Sequence, residues 1–275
     1  MREAVERRLD ALVREHRFEI AIVFPAVGAV LLLASAWNRL PASVSFDPYL
    51  ILFGTLVMRL PLVAGLAPLV DRKAGVALLA LTAYAFGIEL LGVTTGWPYG
   101  EFTYLVELGP MLFGKVPAGL PVFFFPLVLN SYLLCVLLLG PRADRTRLRL
   151  PVVAAVVLWM DVVLDPAAVA LGFWQYDAGG AYYGVPLSNY LGWVLSAVVA
   201  VALLDWGFDR ADIRERLASC EFLLDDLVSF VVLWGVVNLA YGQLAPALAA
   251  AALGVALRRT DRFDFDVASV EPLRR

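Results

Sequence analysis

Apolar runs of membrane-spanning length recur along almost the whole chain, and they leave few folds open. A run of about 17 to 25 mostly apolar residues can cross a hydrocarbon layer. Such runs lie near 19 to 38, 49 to 70, 74 to 93, 117 to 139, 150 to 171, 188 to 207, 225 to 241 and 243 to 257. The last two are short and separated only by Tyr241 and Gly242, so they read as a tight hairpin or one broken element. In lipid every backbone polar group must be satisfied within the protein, which for runs of this length means helices. The expected fold is all-α, a polytopic transmembrane helical bundle of about eight spans. Composition agrees, with 61% hydrophobic and 17% charged residues and a mean hydropathy of +0.78; an average soluble chain is about half apolar and a quarter charged.

Three segments are expected. Residues 1 to 18 carry charge, with Val5, Leu9, Leu12 and His16 at helical spacing, and read as an amphipathic helix on the membrane surface. Residues 19 to 257 form one transmembrane domain, whose first run should be retained because no cleavable signal pattern precedes it. Residues 258 to 275 form a cytoplasmic tail. Orientation follows from basic residues, which favour the cytoplasmic side of short loops. Arg2, Arg7, Arg8, Arg14 and Arg17 precede the first run, and Arg72, Lys73, Arg142, Arg145, Arg147, Arg149, Arg210, Arg214, Arg216, Arg258, Arg259 and Arg262 follow alternate ones. The remaining loops hold little beyond Arg39 and Lys115. Both termini are therefore expected to be cytoplasmic, in a multi-pass protein of the cell membrane. With a net charge of −3 and no basic stripe, no nucleic-acid partner is indicated.

The loops opposite the basic ones are rich in glycine and aromatic residues. One contains Trp97, Tyr99, Phe102, Tyr104 and Phe113, the other Trp174, Tyr176, Tyr182 and Tyr183. Trp and Tyr gather at membrane interfaces in any case, and a few of these rings are expected to line a cavity. A faint internal echo links the loops, because Phe113-Gly114-Lys115-Val116-Pro117 precedes one apolar run and Tyr183-Gly184-Val185-Pro186 precedes another. Two related hairpins around one site would account for it. Gly87, Gly92 and Gly192 are expected to allow close helix packing.

Ionisable residues inside spans are costly and usually face a protein interior or a cavity. Four stand out: Arg59, Glu89, Asp161 and Asp165. Asp161 and Asp165 share one helix face, and Pro166 is expected to loosen the helix there. Glu89 and Asp165 should lie toward the outer ends of their helices, with Asp161 nearer mid-membrane, and the three can converge on one pocket. Asn130, Asn189 and Asn238 are candidates to complete its polar lining. Arg59 is expected to neutralise one of the three acids. A carboxyl group in a low-dielectric pocket beside a like charge keeps its proton more readily than in water, which suits a proton donor.

Missing residues narrow the chemistry. His16 is the only histidine, so a histidine-rich iron centre is excluded. No G-x-G-x-x-G follows a strand and no G-x-S-x-G is present, so neither a dinucleotide fold nor that hydrolase nucleophile is indicated. Acid/base work on a lipid-soluble molecule, or transport, remains.

Four runs carry a resemblance: Glu89 to Tyr104, Met160-Asp161-Val-Val-Leu-Asp165-Pro166, Gly172-Phe-Trp174-Gln-Tyr176, and Tyr182 to Trp193 with its Pro186-Leu-Ser-Asn189 core. They resemble the membrane carotenoid-biosynthesis family that contains the CruF-type carotenoid hydratases, over roughly residues 75 to 207. The Arg-rich, Lys-poor composition is similar to haloarchaeal members. The resemblance implies addition of water to terminal double bonds of an acyclic carotenoid, bisanhydrobacterioruberin to bacterioruberin in the haloarchaeal case or a C40 carotenoid in bacterial relatives. It implies no cofactor and no metal, a carotenoid substrate, membrane lipid as surroundings, and other carotenoid-biosynthesis enzymes as candidate partners. In that reading Asp161, Asp165 and Glu89 are the catalytic candidates. Arg59, Trp97, Tyr99, Tyr104, Asn130, Trp174, Tyr176, Tyr183, Asn189 and Trp193 are the substrate-binding candidates. Two alternatives compete: a magnesium-dependent prenyltransferase using Asp161-x-x-x-Asp165, and a carotenoid-binding or transport protein with the acids as a proton relay.

Overall fold

A computed structural model describes residues 2–106 and 108–260. Its helices are α1 (Arg2–Glu15), α2 (Phe24–Ala36), α3 (Pro48–Leu66), α4 (Arg72–Thr95), α5 (Leu120–Leu139), α6 (Thr146–Leu171), α7 (Leu187–Gly207), α8 (Arg210–Ser219), α9 (Asp225–Ala240) and α10 (Leu244–Arg259). A π-helical turn, Glu19–Val23, leads into α2. Among the described residues, six helical segments are long and apolar enough to cross a membrane, from Glu19–Ala36 through Leu187–Gly207. The chain is an all-α membrane bundle. The two final runs form a hairpin of 16-residue helices, α9 and α10, shorter than these six segments. Of the tail expected from 258 to 275, everything from 261 onward lies outside the described residues.

Local chemistry starts and stops these helices. Asp47 and Asp71 accept from the backbone N–H of Leu50 (2.8 Å) and Ala74 (2.7 Å) and so cap α3 and α4. Gly96 (φ 75°) and Gly172 (φ 78°) end α4 and α6 in the left-handed conformation that glycine adopts without strain.

Helix α6 continues through Pro166. Proline lacks the N–H that would bond the carbonyl four residues back, and in lipid that carbonyl must find another donor. The Tyr182 hydroxyl donates to Val162 O (3.3 Å), and the Asn238 amide donates to the next carbonyl, Val163 O (2.8 Å). The same device recurs in α5, where Pro126 leaves Val122 O without its helical donor. There Arg59 Nε donates to Val122 O at 3.2 Å.

The basic segments meet at one end of the bundle. Arg2 donates to Ala67 O and Val70 O beyond α3, and Arg216 of α8 reaches Asp10 of α1 (2.9 Å) and Gly65 O (2.9 Å). Arg17 pairs with Asp225 (2.6 Å), Arg214 with Asp144 (2.8 Å), and buried Arg149 with Asp205. At the other end the two aromatic loops join. Strand β1 (Phe102–Tyr104) pairs antiparallel with β4 (Trp174–Tyr176), and β2 (Met111–Leu112) with β3 (Val116–Pro117). The internal echo takes the form of matching turns: Phe113-Gly114 and Tyr183-Gly184 all have positive φ, and each turn is closed by one backbone bond, Lys115 N to Leu112 O or Val185 N to Tyr182 O, both 3.0 Å.

Glycine roles differ from the expectation. A Cβ on Gly87 would meet nothing within 4 Å, whereas one on Gly192 would lie 2.3 Å, and one on Gly92 3.1 Å, from the Tyr99 ring. These last two make room for an aromatic side chain rather than for a helix backbone. Close approach of α4 and α7 depends instead on Gly207, where an added Cβ would sit 2.4 Å from the Ala77 Cβ. Gly207→Ala is accordingly expected to destabilise the bundle by about 1–3 kcal/mol through overpacking. Gly75→Ala, where the space is open, should be neutral or slightly stabilising; thermal unfolding of the two variants in detergent makes the comparison.

Candidate active site

The sheet β1–β4 acts as a cap that lowers two phenols onto two acids, buried Asp165 and half-buried Glu89. The Tyr176 hydroxyl donates to Asp165 Oδ2 (2.8 Å) and the Tyr104 hydroxyl to Glu89 Oε1. Burial foremost, and then the neighbouring carboxylates, push both phenols well above the usual tyrosine range, so they remain donors. From α7, the Asn189 amide donates to Asp161 Oδ2 (2.9 Å) and to Asp165 Oδ2 (2.7 Å). Asp161 and Asp165 are one helical turn apart on α6 and are joined through this one amide. Asp161 is fully buried, and its Oδ1 has no hydrogen-bond partner among the described residues.

Glu89, Asp165 and Asn189 line a cavity of about 130 Å³ together with Tyr99, Tyr104, Trp174, Tyr176 and Trp193. Asp161 is not in its wall and sits behind Asp165. The aromatic rings brace one another: Trp193 stacks on Phe124 at 5.3 Å and 28°, and Tyr104 meets Trp174 edge-on at 6.2 Å and 80°. Tyr99, seated against Gly192, shares the Ser196 hydroxyl with Tyr84.

Other candidates lie elsewhere. Trp97 is 57% exposed and Tyr183 38% exposed, and neither borders the cavity. Asn238 bonds backbone carbonyls of α6 and α9. Arg59 reaches the cavity wall, but its ionic partner is none of the three expected acids. It pairs with Asp226 at the foot of α9, whose second oxygen takes the Asn130 amide (2.6 Å). Asn130 is thus part of this ion-pair cluster, away from the cavity. Asp226 was missed because it stands at the edge of an apolar run, where an acid reads as a loop residue. Phe124 and Trp234, also in the wall, were hidden among ordinary apolar residues.

Among the described residues no group of three His, Cys, Asp or Glu side chains is arranged to hold a metal ion. The convergent polar set is two carboxyl groups facing one apolar, ring-lined space, each held by a phenol, with a third carboxyl behind. A family described as "Carotenoid biosynthesis protein" matches residues 46–257.

The chain belongs to that family. The matched region includes every helix that contributes to the cavity except α2, which supplies Leu32. A curated relative, bisanhydrobacterioruberin hydratase of Haloarcula japonica, is 64% identical over 260 residues, covering 94% of this chain and 88% of the relative. No solved structure matches. Among the described residues, Asn189 is the one hydrogen-bond donor to both α6 acids, so its loss leaves two buried carboxyls short of a donor. Asn189→Leu is expected to lower stability by about 1–3 kcal/mol, read by thermal unfolding, whereas Trp97→Leu on the exposed loop should leave the transition in place.

Proposed function

We propose that this protein is a carotenoid hydratase that adds water to terminal C=C bonds of an acyclic carotenoid, converting bisanhydrobacterioruberin to bacterioruberin without a cofactor. The observation that carries the reading is the pair Glu89 and Asp165, which face one aromatic-walled cavity from opposite helices. The kinship with a hydratase named for that substrate supports the choice of carotenoid.

The chemistry asks for little. A proton goes to the less substituted alkene carbon, the π electrons forming the new C–H bond and leaving a tertiary cation. A water oxygen then adds to the cation, and its surplus proton passes to a base. No electron is gained or lost overall, so a redox group is unnecessary. Asp165 is the proposed donor: it and Asp161, held by one amide in a low-dielectric interior, share a proton, and Asp165 alone of the two borders the cavity. Glu89, oriented by Tyr104, accepts the proton from water, which returns to Asp165 before the next turnover. The faces of Trp174, Tyr176, Trp193 and Tyr99 stabilise the cation. Asn189 holds the donor pair, and Arg59 bounds the cavity on the side away from the cap.

We further propose that both termini are cytoplasmic, with the Arg-rich end of the bundle inward. Residues 1 to 18 then lie along the inner surface of the cell membrane, residues 19 to 257 form the embedded domain, and α9 and α10 cross as the last pair of eight spans. The cap and its cavity face outward.

Membranes containing the protein, incubated with the carotenoid in ¹⁸O-labelled water and no added cofactor, should yield product carrying the heavy oxygen. Asp165→Asn, nearly isosteric, is expected to lower this rate by about 10²- to 10⁴-fold while carotenoid is still bound. Wild-type turnover by that variant would remove Asp165 from the mechanism, and unlabelled, unchanged carotenoid with the wild-type protein would remove the hydratase reading.

A further inference from the structure

The cavity beneath the cap is far too small for a carotenoid, which is a rigid rod tens of carbons long. At about 130 Å³ it accommodates an end group and no more. A second, larger space of about 780 Å³ opens on the lipid-facing side of the bundle. Its walls are Leu56, Leu62, Val63 and Leu66 of α3 on one side and Leu78 of α4 on the other, and its floor is α5, with Val122 and Phe125. Except for Arg59, its polar lining is confined to Arg2 and Glu6 of α1 at the far end, where they pair with each other (2.7 Å).

Arg59 borders both spaces. Its guanidinium is pinned to Asp226 and to Val122 O, turned toward α9 and α5, and only 11% of the side chain is exposed. The charge is thereby held aside at the junction, with the aliphatic stem left to the apolar lining. Along α3 the combined tract runs from Ile51 in the inner cavity to Leu66 in the groove, about 22 Å at a helical rise of about 1.5 Å per residue. It continues past Ala67 to Val70 and Arg2, so it follows most of a hydrocarbon layer about 30 Å thick.

We propose that this groove is the binding channel for the polyene of the substrate, with Arg59 marking where the reacting end group passes from the groove into the cavity. The proposal rests on the hydratase reading for the nature of its occupant. The rod lies along α3, one end beneath Tyr104 and Tyr176 and the remainder between α3 and α4, open to lipid. Selection for a long, straight substrate then arises in the groove, separately from the chemistry at Glu89 and Asp165.

A bulky residue in the groove tests this. Val63, 54% exposed, accepts a larger side chain at little cost to packing, and Leu78→Trp on the opposite wall is a second variant should Val63→Trp fail to fold. Each is assayed with the full-length carotenoid and with a short acyclic isoprenoid of about ten carbons bearing the same terminal alkene. The ratio of KM for the long substrate to KM for the short one is expected to rise at least tenfold. An unchanged ratio in a folded variant overturns the proposal and leaves the groove to a lipid chain. Should the wild-type protein hydrate neither compound, the hydratase reading falls, and the groove is judged on binding alone. In that case Val63→Trp must weaken binding of the intact carotenoid, followed by its absorbance shift, at least tenfold more than binding of the short isoprenoid, and an equal effect on both overturns the proposal.

Discussion

A carboxyl group inside a helical bundle in lipid has no water to turn to, so neighbouring helices must supply its donors. The contact of Asn189 with both Asp161 and Asp165 answers that demand at one oxygen of each and ties α7 to α6 at the depth of the cavity. Tyr176 adds a second donor to Asp165 from the cap, so the outer loops are secured to the helices by the same acid that faces the cavity. Packing follows from this. Gly192, one turn beyond Asn189 on α7, leaves the space that Tyr99 fills, and Tyr99 in turn abuts Trp193 at 6.0 Å.

Backbone groups obey the same rule, and the prolines make it visible. Pro166 and Pro126 each deprive a carbonyl of its usual donor, and each of those carbonyls is met by a side chain from elsewhere, Tyr182 in one case and Arg59 in the other. In a soluble protein water would meet this need. Here it becomes a tertiary contact, which explains why helices interrupted by proline continue without a break, and why Arg59 is held at one height in the bundle. Its ion pair with Asp226 and the bond from Asn130 complete a buried cluster separate from the cavity acids. The molecule thus keeps two polar centres apart, one that braces α3, α5 and α9 and one that faces the cavity.

The separation of basic and aromatic ends has a chemical consequence. Arginines gathered at one end are paired with Asp10, Asp144, Asp205 and Asp225, while the opposite end is closed by short strands, of which β1 and β4 carry the rings of Phe102, Tyr104, Trp174 and Tyr176. Rings in the cap offer π faces that would stabilise a cation in the cavity, as the proposed hydration requires.

Much of the architecture was legible in the chain. Helix positions followed from apolar runs to within a few residues, since the length needed to cross lipid and the need to satisfy the backbone within each segment are local constraints. Glu89, Asp161, Asp165 and Asn189 stood out because polar residues in such runs are rare. The partner of Arg59 did not, because pairing joins residues far apart in sequence, and Asp226 at the margin of a run carries no local mark. Nor could the sequence show that Asp161 stands behind Asp165, that Gly192 serves Tyr99 while Gly87 serves no neighbour, or that the outer loops pair as β1 and β4. The sequence by itself determined the helices, their alternation and the acids at stake, because each depends on a residue and its near neighbours. Which acids face the cavity, which one is sealed behind, and where Arg59 is held were decided only in the tertiary structure, because those depend on how the helices rotate and approach once their buried polar groups have found partners.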